Sequence, residues 1–311
     1  MSRILITGAG GYIGAQLGAI LCREHQVLGL DMRVPPGLPF ECRQGDIRDP
    51  ALVDLLREER IERVVHLAAV LGDSGDRERD YDIDVNGTRN VLSACVDAGV
   101  EQIIITSSGA AYGYHPDNPS WLDEADPLRG NPEFAYSDHK RRVETLLADF
   151  RERHPQLKQL VLRPGTVLGE HTRNQITALF ERKRLLAIAG SASPFVFIWD
   201  QDVIAVILKG IAENAAGIYN LAGDGALTVA ELAEILGKPV MTLPAWLLKS
   251  TLAVGHTLHA TRHAPSQINF LRYRPVLSNR RLKTEFGYSP QKTSEQVFRF
   301  FLEHARARGQ L

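Results

Sequence analysis

The 311-residue sequence holds three cysteines, no excess of either charge and no long apolar run. Cys22, Cys42 and Cys95 are odd in number, far apart and without CxxC spacing, which excludes a disulfide framework and a thiolate metal site and fits a reducing cytoplasm. Thirty-six Lys and Arg against 37 Asp and Glu leave a formal net charge of −1, so the whole-chain balance gives no footprint for nucleic acid or an anionic membrane. A small molecule becomes the default partner. No stretch approaches the roughly 18 uninterrupted apolar residues of a membrane helix, and the chain opens on RILIT rather than on a charged segment followed by an apolar one. The expectation is a soluble, cytoplasmic, unprocessed protein.

The first half alternates short β-rich runs with segments of helical period. RILIT is followed by a helix over about Tyr12–Arg23, QVLGLD, a helix over about Asp49–Arg60, and RVVHLA. A helix over about Tyr81–Ala98, QIIITSS, a helix over about Phe134–His154, and LKQLVLRP continue the series. Parallel strands need long crossovers, so this alternation predicts an α/β fold with a doubly wound parallel sheet of Rossmann type. IIIT and VVHLA are apolar on both faces, as buried parallel strands should be. After Pro164 the regularity fades into NQITALFERKR, LLAIAG, FVFIWDQDVIAVILKGI, IYNLAG, a helix starting near Thr228 and a last helix from about Ser294. The expected organisation is a dinucleotide-binding domain over 1–168 plus about 195–222, and a smaller discontinuous lobe over 169–194 plus 223–311. The basic runs HKRR (139–142) and ERKR (181–184) read as solvated helix faces, and Asp200 or Asp202 as the cap of the helix after Trp199, itself read as core.

Residues 4–14 read ILITGAGGYIG, a stiff strand running into four glycines. Gly8, Gly11 and Gly14 form G-x-x-G-x-x-G between a strand and a helix, where backbone can approach a pyrophosphate and the helix N-terminus faces it. Asp31 closes the second strand about twenty residues on, where a carboxylate accepts hydrogen bonds from an adenosine ribose. It favours NAD over NADP, with Arg33 leaving some room for the latter.

EFAYSDHKRRVE places Tyr136 and Lys140 at i and i+4, on one helix face. A phenol with its ordinary pKa of about 10 is a poor base at neutral pH. An ammonium about 4 Å away stabilises phenolate by about 4 kcal/mol at an effective dielectric of 20, or about three pKa units. Such a phenol can exchange a proton with a substrate hydroxyl while hydride moves to or from a nicotinamide. The preceding strand ends in ITSSGAAYG, so Thr106, Ser107 and Ser108 stand at the edge where open α/β sheets bind ligands; Ser108 is the favoured substrate-orienting hydroxyl.

TGAGGYIG, GDIRD (45–49), HLAA (66–69), TSSGAAYG (106–113), YSDHK (136–140) and LRPGTVLG (162–169) together resemble the extended branch of the short-chain dehydrogenase/reductase superfamily, the NAD-dependent epimerase/dehydratase family. The resemblance covers about the first 225 residues and touches the tail at NRRLKTEFGYSP. It implies that Gly8, Gly11 and Gly14, with Tyr12 and Ile13 beside them, bind the cofactor pyrophosphate. Asp31 would hold the adenosine ribose, Asp46 and Ile47 the adenine, and Ala68 and Ala69 would line the cofactor. Ser108, Tyr136 and Lys140 match the catalytic triad, Lys140 also holding the nicotinamide ribose, and Arg163 with Pro164 matches the R-P beside the carboxamide. The helices near 81–98 and 134–154 carry more apolar surface than one sheet face covers, and in extended relatives they form a dimer interface, so a homodimer is expected.

Departures from the family pattern matter. Asp84 in DVNGT replaces an asparagine that orders the cofactor loop, and Thr166 replaces one that meets a nucleotide phosphate. No R-x-G-D precedes SNRRLKTEFGYSP, and Gly109 and Ala110 stand where sugar 4,6-dehydratases carry Asp-Glu. These argue against dehydration and set a UDP-sugar substrate in question. His171, Arg173 and Asn174, with Thr166 and Ser108, are the candidate substrate contacts. The histidines lack a ligand-like grouping, so no metal is expected; His66 ends a buried strand, and His256, His259 and His263 share a helical spacing. The expected activity is NAD-dependent hydride transfer at a secondary alcohol or keto group of a carbohydrate-like substrate, giving an epimerase or a dehydrogenase. The substrate is a nucleotide sugar or a smaller sugar, sugar acid or hydroxy acid. A non-catalytic dinucleotide sensor is the rival, against which the retained Ser, Tyr and Lys speak.

Overall fold

Unbroken apolar and β-branched runs become strands where both faces are covered. A computed structural model describes residues 1–72, 74–250 and 268–311; His256, His259 and His263 lie outside the described residues. β1 (Arg3–Thr7), α1 (Tyr12–Leu21), β2 (Gln26–Asp31), β3 (Glu41–Gln44), α2 (Leu52–Glu58) and β4 (Arg63–His66) come first. α3 (Arg77–Tyr81), α4 (Thr88–Ala98), β5 (Gln102–Thr106), α5 (Ala135–Arg153), β6 (Lys158–Pro164), β7 (Thr166–Leu168), α6 (Gln175–Phe180) and β8 (Leu185–Ile188) follow. β9 (Phe197–Trp199), α7 (Asp200–Ala212), β10 (Gly217–Leu221), α8 (Val229–Leu236) and β11 (Val240–Leu243) come next, and short helices over Ile268–Arg272 and Arg280–Thr284 precede a last helix, Ser294–Ala307.

The chain divides into two compact units. The first comprises Met1–Ser108, His139–Arg163 and Val203–Tyr219. Its seven-stranded sheet runs β10-β6-β5-β4-β1-β2-β3, every neighbouring pair from β6 to β3 being parallel. Leu5, Val64, Ile103 and Val161 face a core shared with Leu56, Leu92 and Leu147 from the covering helices. Burying each such side chain contributes about 1.5–3 kcal/mol. α7 is tied to β5 by Gln102, whose Nε2 donates to the Gly210 and Ala215 carbonyls at 2.9 Å each.

The second unit comprises Gly109–Asp138, Pro164–Asp202 and Asn220–Leu311. Two-stranded parallel sheets β7·β9 and β8·β11 meet an aromatic core of Phe180, Phe195, Phe197, Phe298 and Phe301. Thr228 and Thr293 each form a capping box, with Glu231 and Gln296, and so start α8 and the last helix. Trp199 packs on this core, edge-on to Phe300 at 5.6 Å.

Several expectations need correction. β3 has the sequence ECRQ, an edge strand without apolar alternation and absent from the sequence-level series. The helix expected over Tyr81–Ala98 is interrupted by a π-helical segment, Asp82–Gly87, between α3 and α4. ERKR lies in a bend before β8 rather than on a helix, because α6 ends at Phe180. Of the two acids read as the cap of α7, Asp200 receives the Gln201 amide in its first turn, and Asp202 instead accepts the Tyr288 hydroxyl at 2.7 Å and the Gln291 amide at 3.0 Å. α5 carries no apolar surplus: Val143, Leu146, Leu147 and Phe150 are all buried within the single chain. Among the described residues, no helix is long and apolar enough to cross a membrane, and the three cysteines are free thiols.

Candidate active site

The site begins at the turn after β1. Gly8 has φ +73°, and a Cβ there would stand 2.7 Å from the Ala68 amide nitrogen. A Cβ on Gly14 would stand 2.3 Å from the Gly8 carbonyl oxygen. Both glycines are therefore required by close backbone packing, and α1 starts at Gly11 with no side-chain cap on its first turn. Asp31 Oδ2 accepts the Gly10 amide at 2.9 Å, and Oδ1 accepts the Arg33 amide at 3.0 Å, so the carboxylate at the end of β2 is fixed against this turn. Tyr12 and Ile13 occupy the first turn of α1 and are half-buried. This cradle, closed to side chains and followed by a helix start, fits a dinucleotide pyrophosphate.

Ala68, Ala69, Asp46 and Ile47, also assigned to the cofactor, lie in the same unit, whereas Tyr136 and Pro164 belong to the second. Ala68 and Ala69 follow β4, with the Ala68 backbone against Gly8. Asp46 is bound by Arg48, whose guanidinium also meets Asp82 at 2.7 Å; the Arg48 bond holds the Asp46 carboxyl below the usual carboxylate range. Ile47 is buried against Gly87, and its carbonyl accepts from Asn90 Nδ2 at 2.8 Å.

Beneath this loop lies a buried polar cluster. His66 Nδ1 is 2.6 Å from Thr7 Oγ1 and its Nε2 is 3.0 Å from Thr88 Oγ1. Burial pushes its pKa down to about 3, helped by the positive charge of Lys140 and opposed by Asp84. Asp84 Oδ1 accepts the Val70 amide at 2.8 Å, two residues after Ala68, so an acid here performs the loop-ordering expected of asparagine. Its Oδ2 is 3.8 Å from His139 Nδ1. Sequence reasoning missed His139, which stands directly before Lys140 and packs edge-on against Tyr81 at 5.5 Å. Nearby, Arg163 and Glu144 form a bidentate buried ion pair at 2.7 and 2.8 Å.

Ser108 follows β5 and is half-buried, whereas Ser107 is buried and donates its amide to the Leu162 carbonyl at 2.7 Å. α5 carries Tyr136 and Lys140 one turn apart. Within the second unit Tyr136 lies 6.3 Å, ring to ring, from Phe134, which packs with Tyr114 and Phe270 at 5.7 and 5.4 Å. Arg274 stacks over Phe195 at 3.9 Å and donates to Ser193. Burial lowers its pKa to about 10. Phe270 and Arg274 carry no motif that could have singled them out, and of this group only the FAY triplet preceding the tyrosine hinted at aromatic walls.

The candidate substrate residues other than Ser108 are spread over the start of the second unit's 164–202 segment. Pro164 ends β6, and Thr166 opens β7, its amide donating to the Val196 carbonyl at 3.1 Å. His171 and Arg173 are exposed, while Asn174 caps α6 through Oδ1, which accepts the Ile176 and Thr177 amides. Among the described residues, no group of three His, Cys, Asp or Glu side chains is placed to hold a metal.

Comparisons with known proteins agree with this architecture. The chain is 24% identical over 311 residues to an uncharacterized protein of Mycobacterium tuberculosis, covering 95% of this chain and 82% of that one. It is 29% identical over 254 residues to the N-acetyl-alpha-D-glucosaminyl-diphospho-ditrans,octacis-undecaprenol 4-epimerase of Escherichia coli O157:H7, covering 78% and 75%. Among solved structures, the UDP-glucose 4-epimerase of Thermotoga maritima, crystallised with UDP-glucose, superposes with a TM-score of 0.77 at 21% identity over 98% and 99% of the chains. The UDP-glucose 4-epimerase of Thermus thermophilus, in complex with NAD, gives 0.75 at 24% identity over the same shares. The model of the NAD dependent epimerase/dehydratase family matches residues 4–222, and the chain belongs to that family and is an NAD-dependent enzyme.

Proposed function

We propose that the protein is an NAD-dependent epimerase or dehydrogenase acting on a secondary alcohol of a diphosphate-linked sugar, carried on a nucleotide or on a polyprenol. The observation that carries the chemistry is the placement of Tyr136 and Lys140 one turn apart on α5, in a chain whose glycine turn admits no side chain. The substrate class rests on the relatives, one named for a UDP-sugar and one for a polyprenyl diphosphate sugar.

The first unit would hold the cofactor through Gly8, Gly11, Tyr12, Ile13, Gly14, Asp31, Asp46, Ile47, Ala68 and Ala69, with Lys140 on the ribose; Tyr136 and Pro164, which belong to the second unit, would also contact it, Pro164 beside the carboxamide. When bound, NAD supplies the hydride acceptor and donor. Tyr136 would take the proton from the substrate hydroxyl and return it on re-reduction in an epimerase, or pass it to solvent when the keto product leaves in a dehydrogenase. Lys140 stabilises the phenolate through its charge, and Ser108 orients the reacting oxygen. Thr166, His171, Arg173 and Asn174 are the proposed substrate contacts. With Gly109 and Ala110 after Ser108, no acid pair follows to drive elimination, which favours epimerisation or oxidation over dehydration. A cytoplasmic homodimer completes the proposal.

The purified enzyme should be offered UDP-sugars, polyprenyl diphosphate sugars, free sugars and sugar acids, with product NMR and absorbance of reduced nicotinamide as readouts. Conversion without net cofactor reduction identifies an epimerase and stoichiometric reduction a dehydrogenase. Turnover of free sugars alone would remove the diphosphate from the reading.

A further inference from the structure

The near-zero net charge conceals a strong asymmetry. From Ile235 to Thr284 there are fifty residues without one Asp or Glu, and with eight Lys and Arg, of which Arg280, Arg281 and Lys283 pair with Asp123, Glu285 and Asp224 respectively and Arg274 is stacked on Phe195. Within the second unit the described part of this stretch carries exposed apolar side chains. β8 is anchored in the core by Leu185 and Ile188, but β11 beside it exposes Val240 and Met241. Pro244 then opens a helical turn over 245–250, its carbonyl accepting the Leu247 and Leu248 amides, and that turn presents Trp246, 69% exposed, with Leu247 and Lys249.

The same sheet brings in a basic edge. Leu185 pairs with Val240 and donates its amide to the Pro239 carbonyl at 3.0 Å. The residues immediately before Leu185, namely Arg182, Lys183 and Arg184, are exposed and therefore flank the start of β11. The one acidic residue in that bend, Glu181, accepts from Gln310 at 2.9 Å. Tryptophan, leucine and methionine displayed beside arginine and lysine match the chemistry of a bilayer interface: the indole and aliphatic chains enter the headgroup region and the cations meet anionic lipid. Exposed apolar patches of this kind mark interaction surfaces, and the flanking cations favour an anionic bilayer.

We propose that this edge of the second unit, built on β11 and the 245–250 turn and bordered by Arg182–Arg184, docks on the surface of an anionic phospholipid bilayer. The contact is peripheral. It is independent of which sugar the active site takes, and it would bring a lipid-carried sugar within the enzyme's working surroundings.

The test is co-sedimentation of the full chain with vesicles of phosphatidylcholine alone and of phosphatidylcholine with one third phosphatidylglycerol. Binding should be confined to the anionic vesicles and fall at least tenfold at high salt. It should fall at least tenfold in W246S/L247S and in R182Q/K183Q/R184Q, with wild-type melting and NAD affinity in both variants as controls of folding. Failure to bind anionic vesicles, or binding that neither variant weakens, overturns the proposal. So does a change of oligomeric mass in W246S/L247S without vesicle binding by the wild type, which would assign the patch to a second copy.

Discussion

Asp84 Oδ2 stands 3.8 Å from His139 Nδ1, with both side chains buried, while Oδ1 of the same carboxylate holds the Val70 amide. A buried acid beside a buried imidazole makes the loop after β4 and the helix bearing Lys140 share one polar contact. Asp84→Ala would strand the Val70 amide, at a cost of about 1–3 kcal/mol, whereas Asp84→Asn keeps that acceptor. A double-mutant cycle of Asp84→Asn and His139→Gln, followed by urea unfolding and by NAD titration, should show coupling of at least about 0.5 kcal/mol. Strict additivity in both readouts would mean that the two side chains act separately.

The Arg163–Glu144 pair is buried and bidentate, so breaking it leaves a charge in the core. Glu144→Ala is expected to cost about 3–5 kcal/mol in unfolding free energy, while Arg163→Met with Glu144→Leu recovers most of the loss. Equal melting of the single and double variants would contradict this account.

Gly14→Ala places a methyl against the Gly8 carbonyl and must displace the turn. NAD affinity is expected to fall at least about tenfold, roughly 1.4 kcal/mol, with circular dichroism near wild type. Undiminished affinity by calorimetry would show that the cradle is not where NAD binds.

His66 supplies the pH dependence. Its folded pKa of about 3 lies below the unfolded 6.5, so the unfolded chain binds the extra proton between those values and stability falls as pH is lowered through that window. The slope from this group is at most about 1.4 kcal/mol per pH unit. His66→Gln removes the titration, so unfolding free energies of variant and wild type, measured from pH 7 to pH 4, should converge as the wild type loses stability faster. Parallel curves would refute the assignment.

Tyr136→Phe keeps the ring and deletes the proton. Turnover should drop about 10²- to 10⁴-fold while NAD affinity by fluorescence titration changes little. A variant that still turns over at wild-type rate would exclude the phenol as the proton carrier.

Much of this architecture was legible because strand and helix periods are local. QVLGLD gave β2 residue for residue, and the T-x-x-E and T-x-x-Q patterns at Thr228 and Thr293 mark helix starts by simple cap chemistry. ECRQ escaped because an edge strand lacks the two-sided burial that writes an apolar run. The π-helical segment at Asp82–Gly87 escaped because one extra residue in a turn leaves no compositional trace. At the site, the glycine turn, Tyr136 and Lys140 announced themselves by spacing. The Asp84–His139 approach did not, since it joins residues 55 positions apart whose meeting depends on how α5 packs.

The Gln102 amide described above finds its acceptors 108 and 113 positions downstream. In a nascent chain that has emerged only through β6 the segment carrying those carbonyls is missing, so the Gln102 amide is left to water and the sheet face that α7 would cover stays open. Completion of the first unit must wait until residue 215 has left the ribosome, and a gene fragment cut after the sixth strand should yield an aggregating product rather than an autonomous domain.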